Sequence, residues 1–255
     1  LARIYTRVWP VFNLQGDDYT ISLAMVGAFA MWGSNFVLIS YGLGRHTHYV
    51  SPNNAAKINR LLFINQPIWI WTTTLIKVSV ALTLLRIKRS KSWKRWMKIV
   101  IAIQVLIAIS TNIIHFIQCR PMRASWDPTT PGAKCWELKG AQVSLYIASG
   151  ITFIASDVGF SCIPIIFIRT LRRPLREKLI LIFLMGLGLF ASAVAVSKLR
   201  YVKFYGTSDD PYWDVISLCI LGLLEQHIGI IAACVPCLKS PIERALQRLG
   251  LLLPH

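Results

Sequence analysis

The chain has 255 residues, 55% of them hydrophobic, with mean hydropathy +0.53 and a formal net charge of +17. A soluble domain of this length has too little interior for so much apolar surface, which excludes an ordinary soluble globular fold. The positive charge does not indicate nucleic-acid binding. Lys and Arg come in short runs between apolar stretches rather than along one folded face, and read as membrane topology and attraction to anionic lipid.

Six stretches can cross a hydrocarbon core about 30 Å thick, which needs roughly 20 apolar residues in a helix. In chain order they are 19–44, 61–85, 99–118, 140–168, 179–197 and 215–238. Backbone polar groups in lipid must be satisfied internally, and these runs are too long for barrel strands. The expectation is therefore an all-α polytopic transmembrane helix bundle, a single domain over residues 1–255. After Leu238, Ser240 and Pro241 read as a helix start. Ile242, Ala245, Leu246 and Leu249 on one face then predict a short amphipathic C-terminal helix on the membrane surface.

The connections set the orientation. Between the second and third spans Arg86, Lys88, Arg89, Lys91, Lys94, Arg95 and Lys98 form a basic loop with no acid. Between the fourth and fifth lie Arg169, Arg172, Arg173, Arg176 and Lys178. The side holding these loops carries seventeen Lys and Arg and the opposite side ten, counting Lys198 there. The first side is read as cytoplasmic, and the plasma membrane as the location. Cys119 and Cys135 bracket a proline-rich loop on the other side, where disulfides persist. A bridge between them is expected.

Lys77, Asp157 and Glu225 lie within spans, where each costs about 2.5–3.5 kcal/mol at a helix centre. Counted at 1.5 Å per residue from the basic loops, they sit within a lysine stem's reach of one level. Lys77 is expected to pair with Asp157, Glu225 or both. With His227 beside Glu225 they form the candidate intramembrane polar cluster, either a helix-register lock or a ligand pocket and switch. His115 and His227 lack metal-ligand spacing, so no metal site is expected. Arg45, His46 and His48 are expected to meet water and headgroups. No catalytic constellation or phosphate cradle occurs, and no enzyme is expected.

The ordered series Asp17-Asp18-Tyr19, Tyr41-Gly42-Leu43-Gly44-Arg45-His46, Lys77-Val78-Ser79, Arg86-Ile87, Cys119-Arg120-Pro121, Trp126-Asp127-Pro128, Cys135, Asp157, Pro164, Arg172-Arg173-Pro174, Glu225, Gly229, Cys234 and Pro236 resembles the fungal rhodopsin-domain, receptor-like seven-helix membrane proteins. The resemblance covers essentially the whole chain. It implies seven helices, with Asp17-Asp18 just before the second, so that this chain is expected to be a fragment, or a mis-started gene model, lacking the first helix. The implied topology is that of G-protein-coupled receptors. The chain departs from the family at Thr83 and Leu84, where an aromatic pair is common, and at His227, where Asn is common. A retinal Schiff base needs a lysine in the last helix, and 215–238 contains none, so no cofactor is expected. The functional expectation is receptor-like sensing of an unknown small ligand, with a cytoplasmic signalling partner and the lipid bilayer as partners. The alternative is a transporter or proton-coupled carrier using the intramembrane carboxylates.

Overall fold

Helix ends in this protein are set by caps rather than by the edges of the apolar runs. The computed structural model describes residues 16–87, 90–127, 129–135, 151–152, 155–156, 158–159, 186–198 and 210–248, with backbone alone for 86–87 and 236–248. Helix α1, Gly16–Tyr41, opens with Asp17 and Asp18 in its first turn, where carboxylates complement the helix dipole. It stops before Gly42, three residues short of the expected end. Gly42 takes φ 107°, its N–H bonds Ile39 O at 3.0 Å, and Leu43 N–H bonds Leu38 O at 3.0 Å. That pair of bonds with a left-handed glycine is a Schellman stop, and Leu38 and Leu43 meet in the core beneath it.

Helix α2, Pro52–Ile87, starts nine residues before the apolar run. Ser51 caps it, its Oγ accepting from Asn54 N–H at 3.4 Å, and Pro52 occupies the first position, where a missing N–H costs nothing. At 36 residues it is about 54 Å long, so it projects beyond the hydrocarbon core. Helix α3, Lys91–Ile117, is capped by Ser90 and begins inside the basic cluster. The expected loop from Arg86 to Lys98 is thus largely helical: Arg86 belongs to α2, and Lys91, Lys94, Arg95 and Lys98 form the first two turns of α3. A serine cap overrides the charge run because side chains of this length reach headgroups from a helix as well as from a loop.

A short hairpin follows, β1 (Cys119–Arg120) paired antiparallel with β2 (Lys134–Cys135) and closed by the Cys119–Cys135 disulfide. Helix α4, Gly186–Lys198, is apolar but short. Helix α5, Pro211–Arg248, is continuous in its backbone, so the expected break after Leu238 and the separate amphipathic helix are not seen. Pro241 frees the carbonyl of Cys237, which a helix emerging into the wet interface can leave to water.

Among the described residues, α1, α2, α3 and α5 are long and apolar enough to cross a membrane. The expected span 140–168 falls largely outside those residues, and of the expected span 179–197 the part from 186 onward is described, as α4. Helix α2 packs against α1, α3 and α5. Its contact with α1 and α5 is made close by small side chains: Ala24 and Ala28 are buried with Ile76, Ile230 and Ala233. A Cβ at Gly27 would strike the Thr72 hydroxyl, and one at Gly229 would lie 2.9 Å from Ile76 Cγ2. Leu23, Phe29, Leu106, Ile113 and Ile231 are exposed while Gln104, Asn112 and Gln226 are buried. This inversion suits a lipid solvent.

Candidate functional site

Many polar residues of the spans are buried, and one group of them meets where α2, α4 and α5 come together. On α5, Gly222, Glu225 or Gln226, and Gly229 recur at helical spacing. Gly222 and Gln226 meet Trp69 of α2, and Gly229 meets Ile76 two turns further along that helix. Gly222 has no side chain, so Trp69 and the end of α4 can approach: a Cβ there would sit 3.3 Å from Trp69 Nε1 and 3.8 Å from Lys198 Nζ. Lys198 Nζ donates to Glu225 Oε2 at 2.5 Å and lies 4.2 Å from the centroid of the Trp69 ring. The two side chains are only 14% and 7% exposed. Gln226 Nε2 donates to Trp69 O at 3.4 Å, and Gln226 Oε1 and Thr73 Oγ1 are buried with no hydrogen-bond partner among the described residues.

Lys198 therefore does not sit in the exposed segment to which the charge count assigned it. Helix α4 runs to Lys198 and turns its ammonium to Glu225, because an intramembrane carboxylate needs a counter-ion more than one further cation needs water. Lys77 is buried at 6% exposure and donates to Ser156 Oγ at 2.8 Å. Asp157, the next residue in the chain, lies outside the described residues, as do Lys88, Arg89 and the basic run from Arg169 to Lys178. His227 holds a defined tautomer. Its Nδ1 lies 2.7 Å from Leu223 O, which can only accept, so Nδ1 carries the proton and Nε2 accepts from Trp32 Nε1 at 2.9 Å.

Sequence reasoning missed Lys198, Trp69 and Gln226 as members of this site. The matched spacing of small and polar residues on α2 and α5 was the available signal. It also missed the burial of Asp17 and Asp18 at the start of α1. Ser79 Oγ donates to Asp17 O at 2.9 Å there, tying α1 to α2. Among the described residues, no three His, Cys, Asp or Glu are grouped to hold a metal.

At the disulfide end, His46 is not merely a headgroup contact. It stacks on Trp213 at 4.8 Å and its Nδ1 lies 3.2 Å from Asp210 Oδ2, while Thr47 N–H donates to Asp210 Oδ1 at 3.1 Å. These bonds, the Thr47 amide first and His46 next, hold the Asp210 carboxyl below the usual carboxylate range. The hairpin acid Asp127 is likewise depressed, chiefly by the Thr129 hydroxyl and amide.

Inward polar groups, an outward apolar surface and four long apolar helices define a multi-pass helical membrane protein. More particularly, the chain belongs to the fungal rhodopsin domain family, whose sequence model matches residues 2–244. It is 25% identical over 250 residues to Fugralins biosynthesis cluster protein 2 of Gibberella zeae, covering 95% of this chain and 61% of that protein. It is 23% identical over 217 residues to a SAT4 family membrane protein of Emericella nidulans, covering 82% of this chain and 54% of that one. The chain thus spans less than two thirds of the length of either relative. No solved structure matches.

Proposed function

We propose that this chain is the helical core of a receptor-like protein that senses a small molecule and relays its presence as a change in helix arrangement. The observation that carries the reading is the buried Lys198–Glu225 ion pair, seated on Trp69 between α4 and α5. Removing one partner of a buried pair leaves an uncompensated charge, worth about 3–5 kcal/mol, so packings with and without the pair are discrete. A ligand that favours one of them by 1–3 kcal/mol would bias the bundle. The basic residues Lys91, Lys94, Arg95 and Lys98 would face the cytoplasm and meet anionic lipid or a signalling partner at the plasma membrane. One relative is named for a biosynthetic cluster. That name supports a diffusible metabolite as the thing sensed, and the protein acts on it without chemical conversion.

The test sets receptor against carrier. Fungal cells expressing the full-length protein are exposed to culture extracts and their second-messenger response is recorded beside flux into proteoliposomes under a pH gradient. The receptor reading expects a response that Glu225→Gln lowers at least about tenfold at equal surface level, with no flux above empty liposomes. Gradient-driven flux that Glu225→Gln abolishes would establish the carrier instead.

A further inference from the structure

A second feature lies apart from the buried pair, at the disulfide end between α2, α3 and the hairpin. Here a cleft of about 400 Å³ is lined by apolar side chains and one cation, Arg60. Ile64 and Pro67 follow Arg60 along one stripe of α2, so the cleft runs roughly 10 Å down the helix. Phe116 forms the facing wall on α3, and Trp126 of the hairpin closes the top, its ring 5.1 Å from that of Phe63.

The floor offers nothing polar. Pro67 has no N–H, and the carbonyl it frees, Phe63 O, is turned away to His115 Nε2 at 3.0 Å. Arg60 on the rim is exposed and makes no ion pair among the described residues. The acid on the adjoining hairpin, Asp127, is already engaged by Arg123 at 3.2 Å and by Thr129. Arg60 lines the apolar slot with its stem and keeps an exposed guanidinium beside it, a combination complementary to an anion with an apolar body.

We propose that this cleft binds a lipophilic carboxylic acid, with its carboxylate on Arg60 and its apolar body between Ile64, Pro67 and Phe116. The volume lies in the range of small-molecule sites and holds one chain or a small ring system rather than the paired chains of a bilayer lipid. The proposal deepens the receptor reading by giving its ligand a chemical class and rests on that reading for its biological meaning. Binding itself is measured on the isolated chain, so a failure to signal and a failure to bind are told apart.

The probes are fluorescent pyrenebutyric acid and its methyl ester, titrated at about pH 8, where the acid is ionised, into the chain held in phosphatidylcholine nanodiscs. Saturable binding of the acid is expected, about tenfold weaker for Arg60→Ala, largely kept by Arg60→Lys, and lost in Ile64→Trp, which fills the slot. The ester should bind the native chain no better than the acid binds Arg60→Ala. Melting temperature and the intact disulfide report that each variant is folded; should Ile64→Trp misfold, the acid–ester comparison decides alone. Equal binding of acid and ester, an unchanged affinity in Arg60→Ala, or a signal equal to empty nanodiscs would overturn the proposal. So would a co-purified phospholipid that the acid cannot displace, which would assign the cleft to bilayer lipid.

Discussion

His115 shows how one side chain can keep a proline-bearing helix viable in lipid. Pro67 sits inside α2 and denies Phe63 O its usual donor, and a carbonyl left bare in hydrocarbon is costly. His115 on α3 donates to it from Nε2 at 3.0 Å and stacks on the Phe63 ring at 4.3 Å. His115→Leu should therefore destabilise the bundle by about 1–3 kcal/mol. Pro67→Ala, which restores an N–H at the right position, should recover most of that loss in the double variant. A double-mutant cycle of SDS-titrated unfolding reads the coupling, and strictly additive effects would remove the assigned role. The sequence placed His115 near the end of a span and weighed it only as a metal ligand. Its actual partner is a carbonyl that becomes visible only once α2 and α3 are in register.

At the scale of elements, glycines set how closely the helices approach. Gly229 admits Ile76, and Gly229→Leu should cost about 1–3 kcal/mol by overpacking that contact. The same substitution at Gly186, where a Cβ would meet nothing within 4 Å, should be nearly silent. Melting of the two purified variants compares them. The link from Gly42 to Ser51 is fastened to α5 by Asp210, Gly44 N–H to Tyr212 O at 3.1 Å, and the His46–Trp213 stack. Because the folded Asp210 carboxyl is depressed, its contribution is complete above the ordinary carboxylate pKa of about 3.9 and is lost as pH falls through the lower folded value. Amide exchange at Thr47, corrected for intrinsic rate, should stay protected from neutral pH down to about 4 and open only below it. Asp210→Ala, which removes the acceptor, should lower that protection at neutral pH, and an equally protected Thr47 amide in that variant would contradict the assignment. The elements themselves were legible because twenty-residue apolar runs have few alternatives. Their ends were not, because Ser51, Ser90 and Gly42 act through backbone hydrogen bonds that hydropathy does not register.

At the scale of the molecule, the charge distribution gives a topology that can be tested by labelling. Single cysteines at Thr129 and Lys94 in an otherwise accessible-thiol-free chain should react with a membrane-impermeant maleimide on opposite sides, Thr129 from outside intact cells and Lys94 only after permeabilisation. The reverse pattern would invert the proposed orientation. The Cys119–Cys135 bridge followed from the sequence because one proline-rich loop holds both residues. That the spans hide a charge centre was also legible, from Lys77 and Glu225 inside apolar runs. The partner of Glu225 was not, since pairing between helices depends on their rotation and depth, and Lys198 sits at a helix end that hydropathy assigns to water.

The central claim is that the bundle is organised around a buried Lys198–Glu225 pair, and a double-mutant cycle of unfolding in mixed micelles tests it most directly. Lys198→Met and Glu225→Gln should each destabilise by about 3–5 kcal/mol, since each strands the other charge in the membrane. The double variant, which strands neither, should be far more stable than the sum of the single losses requires. Additive losses, or two single variants as stable as the native chain, would contradict the account.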